Sequence, residues 1–280
     1  MPISGIPAGI GAALSFGAGD FAGAVGARRA GALAVVAGAH GIGLVALLLA
    51  LLVVRPPMPD ASGIWLGLVA GVAGAVGLAA LYRGMSLGAM GLVTALAGAG
   101  SLAIPLVAGA MLGAVIAPLQ LVGVGCAAAA AVAASGASPS EVGRRALLLA
   151  GLAAVAFGAW YVLIDLAARQ GDPLWALVLS RTSSAVLAGA VAARRFDRRR
   201  FPVRIVAAAG LFDVGGNALY VAARETMPVG LAAALTGMYP IVTMLLARLV
   251  LGERLPRLGQ VGVLLALLGV VLISVGGPAQ

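Results

Sequence analysis

Ten stretches of about 20 mostly apolar residues follow one another along this chain, separated by charged residues and prolines. A helix needs about 20 apolar residues to cross the hydrocarbon core of a bilayer. The alternation typical of strands is absent from these stretches. We therefore predict an all-α integral membrane protein with ten transmembrane helices. The predicted spans are 3–25, 31–54, 62–82, 88–111, 115–135, 146–168, 173–193, 203–223, 228–250 and 258–277.

The composition agrees with a membrane protein and excludes several kinds of enzyme. The chain is 62% hydrophobic and 10% charged, against roughly 45–50% and about 25% in soluble domains. All 18 basic residues are arginine, which excludes a Walker A lysine, a Schiff-base lysine and a Ser-Lys dyad. The single His40 and the single Cys126 are too few for a His/Cys metal site. We expect no metal and no cofactor.

The net charge of +9 comes from arginines that lie between apolar runs and not along one helix face. These arginines serve to orient the chain in the membrane, so we expect no nucleic acid partner. The expected partners are the lipid bilayer and a small-molecule substrate, and we expect the chain to be a monomer.

The two halves of the chain resemble each other, which divides it into repeats at 1–137 and 138–280. Because each repeat holds five spans, the two must insert in opposite directions, and inverted repeats of this kind are typical of secondary transporters. The matching segments are Phe16-Gly17-Ala18 with Phe157-Gly158-Ala159, His40 with Arg181, Leu81-Tyr82 with Leu219-Tyr220, and 112–124 with 251–263.

The second repeat also resembles a known family. Leu219-Tyr220 through Pro240, then Leu251-Gly252-Glu253-Arg254-Leu255 and the later Gly262 and Gly269, are similar to the second repeat of EamA-type carriers in the drug/metabolite transporter superfamily. The resemblance covers essentially the whole chain. It implies ten helices in two inverted five-helix repeats, and export of amino acids or other small metabolites, as in exporters of the YddG type, across a bacterial inner membrane.

The chain departs from the family pattern at one position. The first repeat has Ala114 where the second has Glu253. This difference favours a role for Glu253 in fixing a loop at a helix end over a role in binding substrate.

Asp20 stands in the apolar stretch FGAGDFAG, where a charge is costly and needs a reason. Gly17-Ala18-Gly19-Asp20 fits the Gly-x-Gly-Asp pattern of intramembrane aspartyl proteases, but the chain has no Tyr-Asp dipeptide and no Pro-Ala-Leu segment. Asp20 then either forms an ion pair with Arg28 or Arg29 or lines a transport pathway. Asp20 and Asp165 are the candidate pathway or proton-coupling residues.

His40 and Arg181 each lie about eight or nine residues into a span, and the repeat relates them to each other. Two such groups near the midplane suit recognition of a carboxylate, which arginine can hold through two hydrogen bonds. Alternatively, Arg181 pairs internally with Asp165 or Asp213, leaving no free charge for a substrate.

The eighth predicted span carries a polar stripe, because Asn217 and Tyr220 follow Asp213 at helical spacings. Such a stripe in a membrane helix usually faces a wet cavity. Aromatic residues could supply its walls, although tyrosine and tryptophan also anchor span ends. The predicted substrate-binding residues are His40, Arg181, Asp213, Asn217, Tyr220, Tyr239, Tyr82, Trp160 and Tyr161.

These features predict a secondary transporter or exporter that works by alternating access, and no enzymatic activity. An amino acid fits best, since Arg181 or His40 could take the carboxylate, Asp213 the ammonium group, and the aromatic residues an aromatic or amphipathic side chain. The alternatives are the intramembrane protease and a channel. The sequence leaves proton coupling and facilitated diffusion both open.

The arginines also predict the orientation. Connections after odd-numbered spans, with their flanks, hold fourteen arginines, and those after even-numbered spans hold three. Short arginine-rich loops stay in the cytoplasm. We therefore expect the odd connections to face the cytoplasm and both termini to face away from it.

Overall fold

A computed structural model describes residues 5–88, 90–111, 116–137, 140–194, 197, 199, 201–227 and 229–276. Within these ranges the chain is helical throughout its regular structure and contains no strand. The helices are α1 (Ile6–Ala30), α2 (Ala32–Val54), α3 (Ala61–Ser86), α4 (Met90–Met111), α5 (Pro118–Ala137), α6 (Glu141–Arg169), α7 (Pro173–Ala193), α8 (Val203–Thr226), α9 (Val229–Thr236), α10 (Tyr239–Leu251) and α11 (Arg257–Val275).

The helices confirm the predicted all-α membrane fold. In the described part of the chain, nine segments are long and apolar enough to cross a bilayer, with Leu231–Leu251 counted as one, and Pro118–Ala133 is a shorter apolar helix. Many large apolar side chains face outward, such as Leu52 and Val53 of α2. An outward apolar surface fits lipid tails, whereas the contacts between helices are left to small residues.

The ninth predicted span, 228–250, differs from the expectation because two helices form it. α9 ends at Thr236, two residues form a turn, and α10 begins at Tyr239. Pro240 lies in the first turn of α10. Proline has no N–H to donate to the preceding turn and its ring clashes there, so it breaks a helix interior but is tolerated at a helix start.

The packing pattern repeats between the first five spans and the last five. The contact of α1 with α8 has its counterpart in the contact of α6 with α3. The contact of α4 with α6 has its counterpart in the contacts of α9 and α10 with α1. α2 packs on α7, and α5 packs on α11. The inverted relation of the two halves and their boundary stay predictions. The boundary falls at the end of α5, and residues 138–139 lie outside the described residues.

The connection after α10 holds two helices together. Gly252 has a φ of 67°, and its N–H and that of Glu253 donate to Arg248 and Ala247, which caps the end of α10. Glu253 accepts a hydrogen bond from the backbone N–H of Met90, the first residue of α4. This is the loop-fixing role that the sequence favours for Glu253; its counterpart Ala114 lies outside the described residues.

Candidate functional site

Helix α7 carries a group of polar residues inside an apolar span, and each contacts a different neighbouring helix. Ser180 meets α6, Arg181 meets α8, Ser183 meets α3 and Ser184 meets α2. The close approach of α3 depends on Gly71, because a Cβ at that position would overlap Ser180 and Ser183. α7 therefore makes polar contacts with four neighbouring helices.

The central contact is an ion pair between α7 and α8. Arg181 Nη2 lies 2.6 Å from Asp213 Oδ2, and the two side chains are 14% and 25% exposed. The guanidinium N–H groups are not aimed at Oδ2, which has no hydrogen bond of good geometry. The two residues therefore attract each other as charges, but Asp213 Oδ2 accepts no hydrogen bond from any described residue. Of the two internal partners considered for Arg181, Asp213 is the one observed.

His40 of α2 lies beside this pair. Its Nδ1 is 2.5 Å from Ser184 Oγ, and both residues are buried. Which of the two atoms donates depends on the tautomer of the ring. His40 also lies within electrostatic range of Arg181. Sequence symmetry predicted that His40 and Arg181 belong together, and the structure brings both to the α2–α7 interface.

Asp20 of α1 faces the same region. Its neighbour Gly19 packs against Phe212 and the backbone of Asp213, and the Asp20 and Asp213 carboxyl groups interact electrostatically. Among the described residues Asp20 forms no ion pair, so the suggested pairing with Arg28 or Arg29 is wrong. The Asp20 carboxyl group thus lies near the carboxyl group that Arg181 pairs with.

Two of the predicted aromatic residues lie next to these charges. Tyr82 of α3 is buried against Gly23 of α1, where a Cβ would overlap the ring. It lies within electrostatic range of Asp20, Asp213 and Arg181. Tyr239, at the start of α10, lies within range of Asp20.

Three further aromatic residues lie along α6 and α8. Trp160 donates its Nε1–H to Ser180 Oγ at 3.0 Å and stacks edge-to-face on Tyr161, with ring centroids 5.2 Å apart. Tyr161 lies within electrostatic range of Tyr220 of α8. Trp160 is thus hydrogen-bonded to Ser180, the residue before Arg181. Tyr161 is 44% exposed.

Two predicted polar residues are differently placed. Asn217 donates its side-chain N–H to the backbone carbonyl of Asp213 at 2.7 Å, within its own helix. Asp165 accepts from Arg169 at 2.9 Å, and both side chains are more than half exposed. Asp165 therefore pairs one turn along α6 and not with Arg181.

Buried hydroxyl groups are the site residues that sequence reasoning missed. Ser180 and Ser184 bind Trp160 and His40, as described above. Ser15 of α1 donates to the carbonyl of Phe212, and Thr243 of α10 donates to the carbonyl of Gly17. The available signal was the segment Ser180-Arg181-Thr182-Ser183-Ser184, which is polar within an otherwise apolar span.

Comparison with known proteins now bears on this arrangement. Residues 144–275 match the model of the EamA-like transporter family. The second half of the chain carries an EamA-like transporter domain. A crystal structure of a protein that is 16% identical superposes with a TM-score of 0.63 and covers 98% of both chains. At that identity the likeness shows a shared fold. No curated protein matches the chain significantly.

The EamA-like domain fits a membrane transporter of small molecules and not an enzyme. It spans α7 and α8, and hence both members of the Arg181–Asp213 pair, as well as Trp160, Asn217, Tyr220 and Tyr239. His40, Asp20 and Tyr82 come from the first half of the chain. The polar cluster therefore lies where the two halves meet.

Proposed function

We propose that this protein is a secondary transporter that exports a small zwitterionic metabolite, namely an amino acid with an aromatic or amphipathic side chain. It works by alternating access in a bacterial inner membrane, and as a monomer. The observation that carries the proposal is the Arg181–Asp213 ion pair within the membrane spans, at 2.6 Å and with incomplete hydrogen bonding.

The chemistry of that pair matches a zwitterion. A substrate with one carboxylate and one ammonium group can insert between the partners, so that Arg181 holds the carboxylate and Asp213 holds the ammonium group. One internal pair is then replaced by two pairs with the substrate, and the total charge of the site is unchanged. An anion or a cation alone would leave Asp213 or Arg181 without a partner, which is costly away from water.

The surrounding residues supply the other parts of a binding site. His40, held by Ser184, stands beside Arg181 and can donate to the same carboxylate. Tyr82, Tyr239 and Trp160 offer apolar faces with polar edges, which suits an amphipathic side chain. Asp20 is the candidate proton-coupling residue, because its carboxyl group has no counter-charge of its own and faces Asp213.

Transport by reconstituted protein tests the proposal. We expect proteoliposomes to exchange labelled amino acids, and the Arg181→Gln variant to lose this exchange. The matched control is Arg169→Gln, which removes an arginine that also pairs with an aspartate at 2.9 Å, but on an exposed surface of α6. Normal exchange by Arg181→Gln, or equal losses in the two variants, would refute a carboxylate-binding role for Arg181.

The site gives less support to the alternatives. An aspartyl protease needs two carboxyl groups that share a proton, but Asp213 is engaged by Arg181. A channel would show rings of repeated charges, whereas Asp20, Arg181 and Asp213 each come from a different helix and are not repeated. Incubation with a membrane-spanning peptide separates the protease from the transporter, since only the protease would cleave it.

A further inference from the structure

A cavity lies apart from the polar cluster, in a groove between α2 and α7. Its volume is about 410 Å³, and its walls carry no polar side chain. On α7 it begins two turns beyond Arg181. The lining residues are Ala34, Ala37, Gly38, Gly189, Ala193 and Phe201.

The groove opens at one end of the helix bundle. Ala34 is the third residue of α2, and Ala193 is the last residue of α7. Because a helix rises about 1.5 Å per residue, the lining reaches about 6 Å inward from the end of α7, at Gly189, and about 9 Å inward from the start of α2, at Gly38.

Two exposed arginines lie next to lining residues at the mouth of the groove. Arg194 directly follows Ala193, and Arg199 comes two residues before Phe201. Arg204 is also exposed at this end of the bundle, but it lies two residues before Val206, which packs on Gly38, so its side chain is on the other side of α8. The one acidic residue of this connection, Asp197, accepts a hydrogen bond from the N–H of Arg199.

The end of α1 brings two more arginines to the same face. A Cβ at Gly26 would contact Val35 of α2 and Ile205 of α8, which places the last turn of α1 beside the first turns of both helices. Arg28 and Arg29 lie exposed in that last turn. Of these two, Arg28 lies within electrostatic range of Glu253 in the connection after α10.

We propose that this groove is a binding site for an anionic phospholipid. The acyl chain occupies the apolar groove, and the phosphate contacts Arg194 or Arg199 at its mouth. Basic residues beside clefts between membrane helices bind anionic headgroups in this way, and arginine can hold a phosphate through two bonds. A second copy of this chain is a poorer occupant, because it would bring an identical arginine-rich rim against this one.

Thermal unfolding of the full chain in a neutral detergent tests the proposal. We expect added phosphatidylglycerol to raise the unfolding midpoint by about 2–4 °C or more, because a ligand that binds only the folded state stabilises it. Phosphatidylcholine tests the headgroup charge, and glycerol phosphate tests the need for an acyl chain. Neither should produce this shift.

Variants separate the groove from the arginines. Gly189→Leu should fill the groove, since a Cβ there meets only Ala37 at 3.8 Å, and it should abolish the phosphatidylglycerol shift. Arg194→Gln with Arg199→Gln should do the same. The matched controls are Gly125→Leu, at a position of α5 with open space, and Arg55→Gln with Arg169→Gln at the opposite helix ends; both should keep the shift.

Three results would overturn the proposal. Equal stabilisation by phosphatidylcholine would remove the role of charge, and stabilisation by glycerol phosphate would mean a simple anion site. A full phosphatidylglycerol shift in both groove and arginine variants would mean that lipid acts elsewhere. If Gly189→Leu does not fold, Ala193→Leu replaces it, because this side chain is exposed at the end of α7 and can still reach the groove.

Discussion

The Arg181 guanidinium group lies 2.6 Å from the Asp213 carboxylate, across the interface of α7 and α8. The pair is mostly removed from solvent, so its partners depend on each other far more than partners at a protein surface do. Breaking a buried pair by removing one partner typically costs about 3–5 kcal/mol, whereas removing both can be close to neutral. A loss of transport in a single variant could therefore reflect lost folding, and the two effects need to be separated.

A double-mutant cycle separates them. Arg181→Gln and Asp213→Asn should each lower the free energy of unfolding, by about 1–3 kcal/mol because the pair is partly exposed. The double variant should recover most of this loss, since neither charge is then left alone. It should not recover transport, because a zwitterionic substrate would find no charged partner. The measurements are unfolding in detergent and exchange in proteoliposomes on the same four proteins.

The exposed pair of Arg169 and Asp165 is the control cycle. Its coupling energy should be about 0.2–1 kcal/mol, with transport unchanged in every variant. If the double variant of Arg181 and Asp213 transports normally, the pair serves the fold and not the substrate.

The bond between His40 and Ser184 predicts a cost for losing one hydroxyl group. Ser184→Ala leaves the buried Nδ1 of His40 without its partner, and an unsatisfied buried group costs about 1–3 kcal/mol. Thr182→Val on the same helix is the comparison, because the Thr182 hydroxyl only donates to Val178 one turn earlier. Unfolding free energies that fall equally in both variants would contradict the importance of the contact between α2 and α7.

The contact of Gly23 with Tyr82 predicts an asymmetry between two glycines. A Cβ at Gly23 would overlap the Tyr82 ring, whereas a Cβ at Gly151 of α6 would meet nothing within 4 Å. Gly23→Ala should cost about 1–3 kcal/mol through overpacking, and Gly151→Ala should be neutral or stabilising by up to about 1 kcal/mol. Thermal unfolding of the two variants checks this, and a stable Gly23→Ala protein would show that α1 and α3 do not pack as described.

Glu253 predicts a pH dependence of stability. Its partial burial raises the pKa of the carboxyl group above the ordinary 4.5, against the opposing effects of the Met90 N–H and Arg28. The folded state therefore holds this proton more tightly than the unfolded state does. The resulting contribution to stability is full below pH 4.5 and is lost as the pH rises through the raised value.

The Glu253→Gln variant removes this titration and tests it. The unfolding midpoints of the two proteins should be measured as the pH is raised from the ordinary pKa of 4.5. They should converge or cross, because the native protein loses the stability that its protonated Glu253 contributes. Two parallel pH profiles would mean that Glu253 has the same proton affinity in both states.

The spans were predictable because a helix that crosses lipid must be long and apolar, and both properties can be read from the sequence. The break at Gly237-Met238 was missed because both flanking segments are apolar, although Pro240 was a usable signal. The Arg181–Asp213 pair was considered, but the choice between Asp165 and Asp213 depends on how helices pack. That choice could have been narrowed, since Asp165 and Arg169 are four residues apart, a spacing that favours pairing within one helix.

The hydroxyl partners could not be predicted in the same way. A serine or threonine in an apolar helix can donate to the backbone of its own helix, as Thr94 does with Met90, or it can bond to another helix, as Ser184 does with His40. Only the packing of α2 on α7 decides between the two. Likewise, Asp20 lacks the predicted arginine partners because it lies two turns before the helix end where Arg28 and Arg29 lie, within electrostatic range of Asp213, Tyr82 and Tyr239.

The last prediction is the orientation of the chain in the membrane. The connections from α1 to α2, α3 to α4, α5 to α6, α7 to α8 and α10 to α11 carry most of the arginines. The structure does not describe the side chains of four arginines, namely Arg195, Arg198 and Arg200 in these connections and Arg224 on the other side. The bias of fourteen arginines against three should keep these connections in the cytoplasm.

Cysteine labelling tests this orientation. Because Cys126 is the one cysteine, a Cys126→Ala protein gives a background for single-cysteine labelling. Met58→Cys, in the exposed connection from α2 to α3, should react with a membrane-impermeant maleimide on intact cells. Ser140→Cys, exposed before α6, should react only after the membrane is opened. The reverse labelling pattern would place the arginine-rich connections outside, and the phospholipid groove with them.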